Sequence, residues 1–175
     1  MKKLLIAFTL ACIIFIPIGG YAMIATLSLD NLVINSDSVV TVTLKTKTEG
    51  GKDAKGFANL ANTLTVLESL KGNIKPGTDI VIETISGFED SPVFEPRMQF
   101  LVFLQKIETA TSTKEVAGHF KVTNFVQGCW PIDHSGKLLG MGTGTTRAQV
   151  EAKIVETRGK KPAPSAPTTP PAPGM

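Results

Sequence analysis

Hydrophobic and polar positions change period several times along the chain. Residues 4–18 form one apolar run, LLIAFTLACIIFIPI, preceded by Lys2 and Lys3. The next pattern is helical. Ser28 is a capping residue type, and Leu29, Leu32 and Val33 recur at helical spacing, which predicts a helix of one or two turns. The period then falls to two. Across 39–46 (VVTVTLKT), Val40, Val42 and Leu44 share one face, as in a half-buried strand. A polar, Gly-containing stretch at 49–54 (EGGKDA) reads as a hairpin connection.

The stretch 58–70 (ANLANTLTVLESL) fits either helix or strand. Its Thr and Val content favours a strand over 62–69, with Leu64 and Val66 on one face and Thr63, Thr65 and Leu67 on the other. Lys75-Pro76-Gly77-Thr78 is a type II turn signal, because proline fixes φ at the second position and glycine supplies positive φ at the third. A strand at 79–85 and a Gly/Pro loop at 86–96 follow. Residues 98–106 (MQFLVFLQK) are nearly all apolar, which predicts a central strand buried on both faces. Residues 119–126 (HFKVTNFV) alternate and predict another strand. Asp133-His134-Ser135-Gly136 reads as a turn between two short strands. Thr146-Arg147-Ala148-Gln149 is a capping box opening a helix whose apolar stripe includes Val150 and Ile154.

The class implied is mainly β: a small closed or partly closed barrel of five to six strands, with a short N-terminal helix and a C-terminal helix. Closure hides sheet edges in a domain of short strands. The absence of sustained helix–strand alternation argues against a doubly wound fold. Three units are expected. Residues 1–22 read as a secretory signal, since the apolar run of 15 residues falls short of the ~20 a spanning helix needs, and Gly20 and Ala22 suit a cleavage site. The alternative is a retained anchor; lipidation is disfavoured because Cys12 lies in mid-run. Residues 23–158 form the barrel domain. Residues 159–175 (GKKPAPSAPTTPPAPGM), with six prolines, read as a disordered, polyproline-rich tail serving as a spacer or as a ligand for a partner.

Composition sharpens this picture. The chain of 175 residues carries a formal charge of +3 and is 42% hydrophobic and 19% charged, which excludes a wholly disordered chain. Loss of Lys2 and Lys3 with the leader leaves 16 basic against 15 acidic residues, so no nucleic-acid footprint is expected. No second apolar run is present, hence no integral span after cleavage. Cys129 is the single cysteine beyond the leader, and is either buried or available for an intermolecular bond.

The ordered segments Ser36-Asp37-Ser38-Val39-Val40, Val66-Leu67-Glu68-Ser69-Leu70-Lys71-Gly72, Pro76-Gly77-Thr78-Asp79, Pro92-Val93-Phe94, Phe100-Leu101-Val102-Phe103-Leu104 and Gln127-Gly128 resemble those of a group of small exported bacterial proteins. Those in turn are similar to the OB-like barrels of the netrin and tissue-inhibitor-of-metalloproteinase type. The resemblance covers about residues 28–142. It implies an OB-like barrel and an envelope location, and assigns no catalytic residue. Arg97-Met98 stands where the family pattern has Gly-Glu, and the netrin-type disulfides are absent, so inhibition through an N-terminal cysteine is not implied.

Several constellations are weighed for chemistry. His119, Cys129, Asp133 and His134 are metal-ligand types, but no paired Cys-x₂-Cys or His-x₃-His accompanies them, and no metal is expected. The run Gly140-Met141-Gly142-Thr143-Gly144-Thr145-Thr146 precedes a helix start and Arg147, an arrangement open to anions, but it lacks the phosphate-loop lysine. No cofactor is expected. Glu83, Glu89, Asp90 and Glu95 are carboxylates in or near a Pro/Gly loop, read as solvated. Trp130 either anchors a binding surface or caps the barrel core.

The expected function is an exported, non-catalytic envelope or extracellular binding module for a protein or glycan. The loops 86–96 and 128–144 are the expected contact surface, and Trp130, Arg97, Phe94, Glu95 and His134 the candidate contact residues. The alternatives are a secreted hydrolase using loop carboxylates or histidines, and a structural envelope component tethered by the tail.

Overall fold

The computed structural model describes residues 26–52, 56–107 and 116–160. The expected leader at 1–22 and all of the expected tail except Gly159 and Lys160 lie outside the described residues. The elements are α1 (Leu29–Ile34), β1 (Ser38–Lys52), β2 (Ala58–Lys71), β3 (Asp79–Ser86), β4 (Gln99–Lys106), β5 (Val116–Val122), β6 (Cys129–Ile132) and α2 (Arg147–Glu156), with short 3₁₀ turns at Phe125–Gly128 and Gly140–Gly142.

Five strands close into a mixed barrel. β1 pairs with β2, β2 with β3, β5 with β4, and β4 back to β1, all antiparallel; β3 and β5 pair in parallel. β6 continues along the edge of β4 that β5 leaves uncovered. The mainly β barrel with a helix at each end, expected from the sequence, is thus present.

β4 explains why two cores exist. Phe100, Val102 and Leu104 point into the barrel with Val40, Val42, Leu64, Val66, Ile80 and Ile82. Leu101 and Phe103 point the other way, into a second core with Leu32 and Val33 of α1 and Val150 and Ile154 of α2. A strand covered on both faces must be apolar at every position, which is the pattern read for it.

Both helices start where the sequence places them. The Ser28 hydroxyl accepts from the Asn31 N–H at 3.3 Å. At α2 the Thr146 hydroxyl accepts from the Gln149 N–H while the Gln149 side chain accepts from the Thr146 N–H, a complete capping box. Gly77 has φ of 82°, as the turn signal requires.

Three expectations need correction. Residues 49–52 are strand, not loop: β1 runs on to Lys52 against β2, which itself starts at Ala58, because the hairpin continues past two glycines through a bulged register. The strand expected over 119–126 ends at Val122. Asn124 and Phe125 take φ of 54° and 55°, which turns the chain into a 3₁₀ turn. The second short strand after the turn at 133–136 is a single bridge, Ile132 to Leu138.

Candidate binding cleft

The parallel ladder between β3 and β5 ends at Ile82 and Phe120, although β3 continues to Ser86 and β5 to Val122. Beyond that point the two strands part, and a cleft of about 730 Å³ occupies the opening. Asn59, Leu60 and Ala61 of β2 and Glu83, Thr84 and Ile85 of β3 form its floor. Thr48 and Gly50 of β1 bound one side; Ile107, just beyond β4, and Lys121 of β5 bound the other. Ser91, Pro92, Asn124 and Phe125 complete the wall.

The rim is built by two loops that hold each other. The Val126 N–H donates to the Asp90 carbonyl at 2.9 Å, and the Ile85 N–H donates to the Ser91 hydroxyl at 2.9 Å. This brings Phe88 against Phe125, with ring centroids 5.7 Å apart and planes tilted by 54°. Phe88 and Phe125 nevertheless remain 38% and 43% exposed, and Ile85 39%. A phenylalanine at positive φ is strained backbone, and here the strain presents an aromatic ring to solvent beside a cleft. Below the floor, Asn62 is buried; its amide donates to Ile82 O and to the Thr84 hydroxyl, and its Oδ1 has no partner among the described residues.

The residues singled out from sequence scatter around this site. Phe94 is 1% exposed and packs edge-on against Phe100, centroids 5.2 Å apart, inside the barrel. Trp130 is 3% exposed and belongs to the second core rather than the barrel interior; its indole N–H donates to Gln127 O and its ring meets Phe103 at 4.9 Å. Both therefore act as supports. Arg97 and Glu95 are exposed on the turn before β4, and His134 is exposed on the turn after β6. Phe88, Phe125 and Ile85 were missed by sequence reasoning. Phe125 lies within an alternating run that reads as strand, and only the Asn before it, tolerant of left-handed backbone, signals the break.

The other constellations resolve into structure. Cys129 is buried in the barrel core, as one of the two readings held, and burial pushes its thiol up to about 12. Asp133 caps its own turn: Oδ1 accepts from the Ser135 N–H, the Ser135 hydroxyl and the Lys137 N–H, and these bonds hold its carboxyl below the usual range. Among the described residues no three His, Cys, Asp or Glu side chains converge as a metal site. In the glycine run, Gly142 packs flat against the Trp130 ring. The Arg147 guanidinium pairs with Glu68 and Glu151, so it is directed away from an anion role. No helix among the described residues is long and apolar enough to cross a membrane.

No protein-family model matches the chain, and no curated protein matches it. The functional reading therefore rests on the barrel and its cleft.

Proposed function

We propose that the domain is an exported, non-catalytic binding module of the cell envelope, and that the cleft between β3 and β5 receives a protein segment or glycan. The observation that carries this reading is the exposed Phe88–Phe125 pair, Phe125 at positive φ, at the rim of a largely apolar cleft. A concave site with an apolar lining and a few polar groups is the usual form of a recognition surface. The leader-like run at 4–18 supports export.

The position of the cleft supports the same reading by analogy of fold. In OB barrels the face of the second and third strands, between the first and fourth connections, takes the ligand. Here β2 and β3 form the floor, and Gly50 of β1 and Ile107, just beyond β4, line the cleft beside them. The likeness of the sequence motifs to netrin-type barrels belongs to this proposal. Arg97, Glu95 and His134 stay in it as outlying polar contacts.

The test is affinity capture from an envelope extract with the chain from Met23 to Met175 and with a Phe88→Ala/Phe125→Ala variant. Capture by the first and its loss in the second is expected. Equal capture by both moves the site elsewhere.

One geometry favours a second reading, an exported hydrolase. Glu83, on the cleft floor, has Oε1 3.1 Å from His119 Nδ1. Turnover in a hydrolase panel that disappears in His119→Ala would establish that reading over the first.

A further inference from the structure

The same cleft has a ligand candidate within the chain. Exposed aromatic grooves bind polyproline II segments, which are preformed and lose little entropy on docking. Residues 161–175 carry six prolines, with the spacing Pro-x-x-Pro at Pro164 and Pro167 and again at Pro167 and Pro170.

Charge and reach agree. Glu83 lines the cleft, its Oε1 3.1 Å from His119 Nδ1, and Glu89 and Asp90 follow Phe88 on the rim loop, while Lys121 is the lysine among the lining residues. The proline segment is led in by Lys160 and Lys161, of which Lys160 sits only loosely, 3.8 Å from Glu156. The described chain ends at Lys160, after α2. Fifteen residues of polyproline II extend to about 45 Å. A domain of this length has a radius of gyration of about 14 Å; Pro167 to Pro171, seven to eleven residues beyond Lys160, reach about 22–34 Å from it when extended, a span comparable with the width of the domain.

We propose that the segment 161–175 docks in the β3–β5 cleft of its own chain, its prolines on Phe88 and Phe125. This rests on the reading of the cleft as a binding surface, and adds that the site is guarded by an internal competitor. An intramolecular segment acts at an effective concentration on the order of millimolar. A weak proline–aromatic contact therefore suffices to hold it, and an external ligand of higher affinity displaces it.

The experiment is amide NMR on the chain from Met23 to Met175, which contains every described residue. It is compared with a variant in which Pro164, Pro167, Pro170 and Pro171 are replaced by glycine and Lys161 by glutamate. The changes lie outside every described element. The expected result is movement of the Ile85, Phe88 and Val126 amides while Val150 in α2 stays in place. The shifts are expected to be unchanged on dilution, and the wild-type 161–175 peptide, added to the variant, is expected to restore them. Cleft amides indifferent to the tail substitutions overturn the proposal, as does a dilution dependence that assigns the segment to a second copy. If those amides ignore the tail but move with an envelope extract, the tail is excluded and the binding reading stands. If they respond to neither, both fall.

Discussion

A Cβ on Gly142 would lie 2.7 Å from the Trp130 indole, and one on Gly128 would lie 2.2 Å from the Thr123 carbonyl. Neither neighbour is the free end of a flexible side chain, so both glycines are fixed by close approach. Gly142→Ala is expected to cost roughly 1–3 kcal/mol through overpacking, read by urea unfolding with Trp130, the single tryptophan, as the probe. Cys129 is buried, and its thiol is raised to about 12. The native protein is expected to resist a thiol reagent at pH 8 and to react once unfolded; rapid native labelling would contradict the buried assignment. Asp79 sits between Lys45, at 2.5 Å, and the Thr65 hydroxyl, at 2.7 Å. First the Lys45 bond and then the Thr65 bond hold its carboxyl below the ordinary range. A carboxyl lowered in the folded state stabilises above its unfolded value, near pH 4, and this stabilisation is lost as pH falls through the folded value. Asp79→Asn is expected to lower stability at pH 7 by roughly 0.5–1.5 kcal/mol. In a pH series of unfolding curves the gap to wild type should close in acid.

The elements divide by how local their causes are. The capping box of α2, the turn glycine Gly77 and the apolar β4 were legible because each depends on residues within one or two turns of chain. The true lengths of β1 and β5 were not, because they depend on partners. β1 continues past Gly50 and Gly51 only because β2 lies alongside it. β5 stops although its alternation continues, because Thr123, 2% exposed, turns inward to bond Ser36 at the end of α1, with Oγ atoms 2.8 Å apart. The break at Asn124 and Phe125 then creates the rim of the cleft. Phe125→Asn suits the left-handed backbone and removes the ring. It is expected to leave stability within about 1 kcal/mol of wild type while abolishing capture by the cleft. Loss of fold instead would assign Phe125 a structural role, and melting curves distinguish the two.

Across the molecule, Asp37, Gly72 and Gln127 act as joints of the barrel. Asp37 accepts from the Lys106 N–H and fixes the start of β1 against the end of β4. Gly72, at φ of 92°, leaves room for the Ser38 hydroxyl. Gln127 accepts from the Leu27 N–H, tying the segment before α1 to the turn before β6. None of these joints is legible from the residues alone, because each depends on a partner far along the chain. The same holds for the cleft. Its floor comes from two strands and its rim from loops at 86–91 and 124–126, which only the closed barrel brings together. That is why Phe94 and Trp130, conspicuous in sequence, prove to be core, while Phe88 and Phe125 form the exposed pair. The decisive comparison places a photo-crosslinking residue at Ile85, in the cleft, or at Val155, exposed on α2, in the chain as expressed by its host. Adducts to an envelope component from Ile85 and none from Val155 are expected. Adducts from Val155 with none from Ile85 would contradict the assignment of the cleft as the recognition surface.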